Sequence, residues 1–182
     1  MNRREFLYGT TALTLPVMAG CDNSDEPIAS IDTNYPVSPF GAKSTAEDVT
    51  LGLDLTGKTA VVTGCNSGLG YETMRVLAMR GAHVIGTGRN LEKASKACSS
   101  VTGKTTPVAL ELSNFDSIIE CADAIAKLSL PVDILVCNAG INTFSDLELV
   151  NGVERTFVVN HLGHFVLVNQ LMPLIKESEE SR

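Results

Sequence analysis

The stretch TAVVTGCNSGLG, residues Thr59–Gly70, decides the fold of this chain. Four of its first five residues are β-branched, and a short run of this kind is typical of a buried strand. The glycines at Gly64, Gly68 and Gly70 then end the strand pattern, and apolar residues at helical spacing follow over Leu69–Arg80. A buried strand that turns sharply into a helix is the first unit of a parallel sheet covered by helices.

The chain beyond this unit continues to alternate between strand-like and helix-like segments. The predicted strands are Thr59–Thr63, Ala82–Thr87, Pro107–Leu110 and Val132–Cys137, and the predicted helices are Leu69–Arg80, Asn90–Ser100, Ser113–Leu128 and Asp146–Lys176, the last with an irregularity near Gly163. The pattern predicts a Rossmann-type α/β fold, a doubly wound parallel sheet with helices on both faces. Four strands form only its first half, in the expected order 3-2-1-4, so the sheet is predicted to be incomplete, with the fourth strand at one edge.

Four motifs occur in the order found in one protein family. Thr63–Gly70 has three residues between its first two glycines, which differs from the common dinucleotide-binding fingerprint. Glu111–Ser113 follows the third strand, Cys137–Gly140 (CNAG) ends the fourth, and Val159–Phe165 reads VNHLGHF. Together the motifs resemble the short-chain dehydrogenase/reductase family, in its retinol-dehydrogenase-like branch, over roughly residues 55–175.

The resemblance implies a nicotinamide dinucleotide cofactor. The glycine loop would hold the pyrophosphate, because free N–H groups at a helix start face the phosphates. Asn66 and Ser67 would lie near the adenosine phosphate, Glu111 stands where the family usually has an Asp that contacts adenine, and Asn138 would support the central loop. The residues implied to bind the cofactor are Gly64, Asn66, Ser67, Gly68, Leu69, Gly70, Arg89, Glu111, Leu112, Asn138, Ala139 and Gly140.

Gly88 and Arg89, at the end of the second strand, bear on the choice between NADP and NAD. An acidic residue at this place would hydrogen-bond the ribose 2′-hydroxyl of NAD and repel the 2′-phosphate of NADP. An arginine suits that phosphate in charge and geometry, so the sequence favours NADP. Two alternatives stay open, namely that Arg89 pairs with a surface carboxylate or stacks on adenine.

Members of this family transfer hydride between the cofactor and an alcohol or carbonyl substrate, using a Tyr, a Lys and a Ser. Asn160 matches the family's catalytic Asn, which bends the long helix and holds a water in the proton relay; alternatively, it only distorts the helix. The three tyrosines are Tyr8, Tyr35 and Tyr71, and none is followed by Lys four residues later. The resemblance therefore implies an NAD(P)-dependent oxidoreductase whose catalytic Ser and Tyr-x-x-x-Lys are absent from this chain.

The chain ends at Arg182, just where the family's fifth strand would begin. Because the catalytic residues are missing, we expect a truncated domain that is inactive alone. Strand 4 would lack its outer neighbour, so the isolated chain is expected to be marginally stable, aggregation-prone or rescued by a partner. The alternative function is a non-catalytic dinucleotide-binding module completed by another chain. A degraded gene whose product does not fold is a third reading.

Residues 1–21 have the layout of a secretory signal peptide. Arg3 and Arg4 resemble a twin-arginine signal, an apolar run follows, and Cys21 ends a sequence that resembles a lipoprotein box. The pattern predicts lipidation at Cys21 and a lipid anchor on the periplasmic side of a bacterial inner membrane, or a cytoplasmic location if the signal is not used. A frayed N-terminus with a chance Arg pair is the alternative.

Composition limits the remaining partners. Pro and polar residues in 22–50 predict a flexible tether, which leaves 51–182 as the dinucleotide-binding domain. The formal net charge of −7 argues against nucleic acid. His161 and His164 could share a helix face, but no third ligand has fitting spacing, so no metal is predicted. A small alcohol or carbonyl substrate is expected, with a homo-oligomer or a complementing C-terminal chain as possible partners.

Overall fold

The computed structural model describes residues 38–142 and 146–182. The predicted signal in residues 1–21, with its lipidation at Cys21, lies outside the described residues, as does the predicted tether up to residue 37. Residues Phe40–Arg182 form one compact unit.

Helices and strands alternate along this unit, as the sequence predicts. The strands are β1 (Thr59–Val62), β2 (His83–Gly88), β3 (Thr105–Ala109), β4 (Ile134–Val136), β5 (Leu149–Val150) and β6 (Val153–Glu154). The helices are α1 (Ala46–Val49), α2 (Gly68–Met79), α3 (Leu91–Ser99), α4 (Phe115–Ala126), α5 (Arg155–Phe157) and α6 (Gly163–Lys176), with a π-helical turn at Val158–Leu162 between the last two.

The main sheet contains four parallel strands in the order β3-β2-β1-β4. This order confirms the predicted Rossmann-type sheet and places β4 at one edge. All four residues of β1 are buried, whereas those of β4 are only half-buried. On the outer side of β4, Arg182 donates its N–H to Asp133 O at 2.8 Å and accepts from Leu135 N at 3.0 Å.

Two hydrophobic cores lie on opposite faces of this sheet, because alternate residues of each strand point in opposite directions. Val61 and Ile85 belong to the core that also contains Ile118 and Ile125 of α4 and Leu167 and Leu171 of α6. The other core includes these buried residues, which come from β1, β2, the glycine loop, α2 and α3: Ala60, Val62, Val84, Cys65, Met74, Ala78, Ala97 and Cys98. Helices on both faces complete the doubly wound arrangement.

The helix predicted over Asp146–Lys176 is wrong in its first part. The antiparallel hairpin of β5 and β6 forms there instead, around a turn at Asn151 and Gly152 with φ of 52° and 81°. An Asn-Gly pair in this left-handed region is the preferred two-residue hairpin turn, because its twist matches that of the flanking strands. The helix begins only at Arg155.

The predicted irregularity near Gly163 is present as the π-helical turn, which ends at Leu162. The helical stretch Arg155–Lys176 is long and apolar enough to cross a membrane by length and composition alone, with a mean hydropathy of 1.2. In this structure Leu167 and Leu171 are fully buried in the core shared with α4. One face of the stretch therefore packs against this core, while Phe157 and Phe165 are exposed.

Helix α1 lies inside the predicted tether. Thr45 and Asp48 form a capping box at its start. Arg75 of α2 pairs with Glu47 at 2.7 Å, and Arg80 Nη2 donates to Glu47 O at 2.8 Å. These bonds hold α1, which precedes residue 51, against α2.

Candidate functional site

A cavity of about 400 Å³ lies at the carboxyl ends of the parallel strands. This is the place where open α/β sheets bind ligands, and the volume falls within the range of small-molecule sites. Eleven of the twelve residues predicted to bind a cofactor line the cavity, the exception being Gly68. The full lining is Gly64, Asn66, Ser67, Leu69, Gly70, Thr87, Gly88, Arg89, Leu110, Glu111, Leu112, Asn138, Ala139, Gly140, Ile141 and Val159.

Two glycines of the loop between β1 and α2 are required by the packing around them. Gly64 has φ of +71°, and a Cβ there would lie 2.9 Å from Ala139 Cα. A Cβ on Gly70 would lie 2.3 Å from both Asn138 Nδ2 and Gly64 O. Since real Cβ atoms do not approach other atoms so closely, the loop can follow this path only with glycine at both positions.

The start of α2 carries an unopposed partial positive charge at the cavity. Ser67 occupies the N-cap position but makes no side-chain capping bond, and the first turn contains no acidic residue. The first N–H groups of a helix have no acceptor within the helix, and the helix dipole adds to their positive potential. Leu69, in the same turn, is 81% exposed at the cavity. This helix start is suited to an anion, phosphate above all.

Asn138 and Ala139 hold the loop after β4 against the glycine loop. Asn138 Nδ2 donates to Thr63 O at 2.9 Å and to Gly64 O at 3.3 Å. Ala139 N–H donates to Thr63 Oγ1 at 2.9 Å. These bonds join the loop after β4 to the start of the glycine loop.

His164 of α6 extends this network into the helix. Its Nε2 lies 2.9 Å from Thr63 Oγ1, and its Nδ1 lies 3.3 Å from Asn160 O. With the proton on Nδ1, the ring donates to Asn160 O and accepts from the Thr63 hydroxyl, so every polar atom is satisfied. Burial lowers the pKa of His164, although its bond to Asn160 acts in the opposite direction. The neutral ring therefore links α6 to the glycine loop.

Arg89 is exposed at the end of β2, beside the cavity. Within the two described ranges it makes no ion pair, so no carboxylate there neutralises it. Gly88 precedes it, and a Cβ on Gly88 would lie 2.5 Å from Asn66 Oδ1. Thr87 Oγ1 is buried without a hydrogen-bond partner among the described residues. This corner of the cavity combines a free guanidinium with an unsatisfied hydroxyl.

Glu111 and Leu112 close the cavity on the β3 side. The Glu111 carboxylate accepts from Ser113 N at 3.1 Å and from Ser113 Oγ at 2.8 Å. It therefore shapes the turn into α4 in addition to lining the cavity. Leu112 is buried, and a Cβ on Gly163 would lie 2.4 Å from its carbonyl oxygen. Gly163 thus allows α6 to approach this turn closely.

Asn160 lies in the π-helical turn and does not line the cavity. Its Oδ1 accepts from Ile141 N at 2.8 Å, and its Nδ2 donates to Ile141 O at 2.8 Å. Both ends of the side chain are therefore occupied by the loop that follows Gly140. The observed contacts are those of a residue that positions the backbone beside the cavity.

Four lining residues besides Gly88 were not assigned to the site from sequence: Thr87, Leu110, Ile141 and Val159. Each is the direct neighbour of a residue that was assigned to the site or discussed with it. Thr87 and Leu110 adjoin Gly88 and Glu111 at strand ends, and Ile141 and Val159 adjoin Gly140 and Asn160. For Thr87 and Leu110 the signal that could have found them is position, since residues at the carboxyl ends of parallel strands meet at one edge.

The two histidines of the VNHLGHF motif do not converge. His161 stacks on the Phe157 ring with centroids 5.1 Å apart, while His164 points to Thr63. In residues 38–142 and 146–182, no group of three His, Cys, Asp or Glu side chains is arranged to hold a metal ion.

Comparison with known proteins supports the reading of the motifs. The human WW domain-containing oxidoreductase is 38% identical over 148 residues, which are 79% of this chain and 36% of that protein. Human retinol dehydrogenase 13 is 40% identical over 131 residues, which are 69% of this chain and 40% of that protein. The chain therefore spans less than half the length of these relatives.

Solved structures give the same result for the fold. A Pseudomonas aeruginosa RhlG/NADP active-site complex has a TM-score of 0.61 and 30% identity, covering 69% of this chain and 49% of that one. A 3-ketoacyl-(acyl-carrier-protein) reductase from Brucella melitensis, complexed with NADH, has a TM-score of 0.59 and 29% identity, covering 68% and 52%. Residues 58–182 also match the family profile described as short chain dehydrogenase. The chain belongs to the short-chain dehydrogenase family.

Proposed function

We propose that this chain binds NADP(H) in the cavity and forms the dinucleotide-binding part of an oxidoreductase that interconverts an alcohol and a carbonyl compound. The observation that carries the proposal is the start of α2, which has no side-chain cap and no acidic residue and lies at the cavity. Such a helix start stabilises a bound pyrophosphate through its N–H groups and dipole.

The residues around the cavity fit a dinucleotide. Gly64 and Gly70 let the glycine loop pack directly against Ala139 and Asn138, where a side chain would clash. The buried hydroxyl of Thr87, which has no partner among the described residues, would be satisfied by a hydrogen-bonding ligand. Leu69, exposed at the cavity, would be covered by the same ligand. These features agree with a polar, phosphate-bearing ligand.

Arg89 supports NADP over NAD. It is exposed beside the cavity and has no ion-pair partner among the described residues, so its charge is available to a 2′-phosphate. The preceding Gly88 provides no carboxylate for a ribose 2′-hydroxyl, and a side chain there would displace Asn66. Since similar structures are known with either NADP or NADH, the preference rests on these residues.

The bound nicotinamide would supply hydride transfer, and the chain would bind and orient it. Asn138 and Thr63 fix the two loops on either side of the cavity. The paired hydrogen bonds of Asn160 to Ile141 hold the backbone after Gly140 in place. In this proposal these residues position the cofactor, and Asn160 acts through Ile141.

Titration of the purified chain with NADPH and with NADH tests whether the chain binds a dinucleotide and whether it prefers NADPH to NADH. Arg89→Ala should weaken NADPH binding about 10- to 100-fold, since hydrogen bonds to charged groups contribute about 1.5–3 kcal/mol. NADH binding should change less than about threefold, because NADH lacks the 2′-phosphate. Lys127→Ala, which removes an exposed cation at the end of α4, is the control for net charge. Equal losses for both cofactors would contradict the assignment of Arg89.

Turnover separates this function from a non-catalytic dinucleotide-binding module. The absorbance of NADPH is followed in the presence of apolar ketones and aldehydes, with the intact mass of the chain confirmed beforehand. Oxidation of NADPH that depends on the carbonyl compound supports an oxidoreductase. Tight binding without turnover agrees with either function, because none of the tyrosines in this chain is followed by Lys four residues later, and a flat titration contradicts both.

A further inference from the structure

Three sulfur atoms converge beneath the glycine loop, on the face of the sheet that α2 and α3 cover. A Cβ built on Gly86 would lie 2.7 Å from Cys65 Sγ, 2.8 Å from Met74 Sδ and 3.0 Å from Cys98 Sγ. Cys98 Sγ is also 3.7 Å from Met74 Sδ. The bare backbone of Gly86 therefore leaves a space that the three sulfurs share.

The two cysteines of this cluster come from different elements. Cys65 belongs to the glycine loop and is fully buried, and Cys98 lies near the end of α3 and is 3% exposed. Both sulfurs lie within 3.0 Å of one point, so they are side by side in the core. A bond between them would connect the glycine loop directly to α3.

The environment of the pair favours one reactive sulfur. The nearby Cys65 thiol, although burial opposes it, lowers the pKa of Cys98 to about 7. The same contact, together with burial, raises the pKa of Cys65. Since the thiolate is the nucleophilic form of cysteine, Cys98 is the residue that would react first.

We propose that Cys65 and Cys98 are a reversible oxidation site, at which a hydroperoxide converts the two thiols into a disulfide that displaces the glycine loop. Hydrogen peroxide is the simplest such oxidant and is small enough to reach a core opened by local fluctuation. The second half of the proposal, the effect on the loop, rests on the proposed function.

The chemistry takes two steps and balances. The Cys98 thiolate attacks one oxygen of hydrogen peroxide, so that an S–O bond forms, the O–O bond breaks and the leaving hydroxide takes a proton to become water. The Cys65 sulfur then attacks the Cys98 sulfenic acid, so that the S–S bond forms and the S–O bond breaks. The second hydroxide takes the Cys65 proton, and two thiols plus one peroxide give one disulfide plus two water molecules.

The disulfide would act on the cavity through the neighbours of Cys65. Gly64 and Asn66 both line the cavity, and Cys65 N–H itself donates to Thr87 O at 2.9 Å. Because two bonded sulfurs lie only about 2.05 Å apart, the loop must move toward α3 when the bond forms. Gly64 tolerates little movement, since it packs against Ala139. Oxidation should therefore weaken dinucleotide binding.

The other described cysteines provide internal controls. Cys121 is buried on the opposite face of the sheet, and burial raises its pKa to about 12. Cys137 is exposed at the end of β4. Neither lies in the sulfur cluster around Gly86.

Peptide mapping tests the bond itself. The full chain is reduced with a dithiol, freed of reductant, treated with equimolar hydrogen peroxide, and then unfolded and alkylated with N-ethylmaleimide. After trypsin, we expect residues 59–75 and 97–104 as one cross-linked species that a dithiol separates. Cys98→Ala should abolish this species and Cys121→Ala should retain it. Alkylated Cys65 and Cys98 beside an oxidised Cys137 would overturn the proposal.

Cofactor titration of the same samples tests the coupling to the loop. We expect NADPH to bind at least tenfold more weakly to the oxidised chain, with recovery after the dithiol. A cross-linked chain with unchanged affinity would overturn the coupling. If even the reduced chain binds no dinucleotide, the proposed function fails, while the peptide map still decides whether the pair is an oxidation site.

Discussion

The start of α2 differs from the starts of α3 and α4 in how its N–H groups are satisfied. Asn90 accepts from Lys93 N at 3.0 Å, and Asn114 accepts from Asp116 N at 3.0 Å and from Ser117 N at 3.3 Å. The first turns of these two helices also contain Glu92 and Asp116, respectively. At α2 the N-cap side chain makes no such bond, and no acid is present.

The contrast separates structural helix starts from a functional one. Asn at the N-cap and an acid in the first turn each stabilise a helix, and α3 and α4 use both. The start of α2 has neither contribution. Ser67, Leu69 and Gly70 at this helix start line the cavity. A helix start left open in this way is stabilised by a bound anion instead.

The largest effect on cofactor binding is expected when the start of α2 receives a capping side chain and an acidic group, as the starts of α3 and α4 have. Ser67→Asp should cap the helix and increase the free energy of unfolding. Its carboxylate should weaken NADPH and NADH binding about 30-fold or more, because repulsion between charges a few ångströms apart near a surface costs about 2 kcal/mol or more. Calorimetric titration measures the affinity, and urea unfolding measures the stability.

Ser67→Asn is the matched control for this change, because it can cap the helix without adding charge. It should raise stability in the same way and affect binding far less. If both variants bind NADPH as well as the unmodified chain does, the start of α2 is not where the pyrophosphate lies.

Most residues that line the cavity could be named from the sequence because their signals are local. The spacing of Gly64, Gly68 and Gly70 encodes a turn and a close approach within eight residues, so no tertiary information is needed to read it. The strand order also followed from alternation, since crossover rules allow few arrangements. The contacts of Asn160 with Ile141 could not be read in this way, because they depend on how a π-helical turn packs against a distant loop.

Two errors in the predicted elements have physical causes. The third strand begins at Thr105, two residues before its predicted start at Pro107. Proline normally interrupts a strand, but β3 is an edge strand, where a missing N–H is tolerated. The hairpin of β5 and β6 lies within the predicted helix, although Asn151-Gly152, between Leu149-Val150 and Val153, is itself a hairpin signal.

A smaller effect is expected when the N-cap side chain of α4 or of α2 is removed. Asn114→Ala should lower the free energy of unfolding by about 1 kcal/mol, because it removes the acceptor for two N–H groups of α4. Ser67→Ala should change it by no more than a few tenths of a kcal/mol, since Ser67 makes no capping bond. Urea unfolding without cofactor measures both. Equal losses would mean that the two helix starts are alike.

The smallest effect is expected on the pH dependence of stability. It comes from His164, the buried histidine that joins α6 to Thr63 at the start of the glycine loop. Burial lowers the pKa of His164, so between that pKa and about 6.5 the unfolded chain binds more protons than the folded one. The stabilisation is therefore complete well above pH 6.5 and is lost as the pH falls through the folded pKa. At pH 6.5 the loss from one such histidine is at most about 0.4 kcal/mol.

His164→Gln should remove this part of the pH dependence, because glutamine can hydrogen-bond Thr63 without titrating. Burial also lowers the pKa of His83, with a smaller contribution from Lys104, so His83→Gln is the parallel variant on β2. Urea unfolding at several pH values between 5.5 and 8 gives, for each variant, the slope of the free energy of unfolding against pH.

His83 lies at the start of β2, at the opposite end of that strand from the cavity residues Thr87 and Gly88. Only the His164 variant should therefore also reduce the pH dependence of NADPH binding, and an unchanged binding profile would show that the link to Thr63 does not reach the cofactor loop.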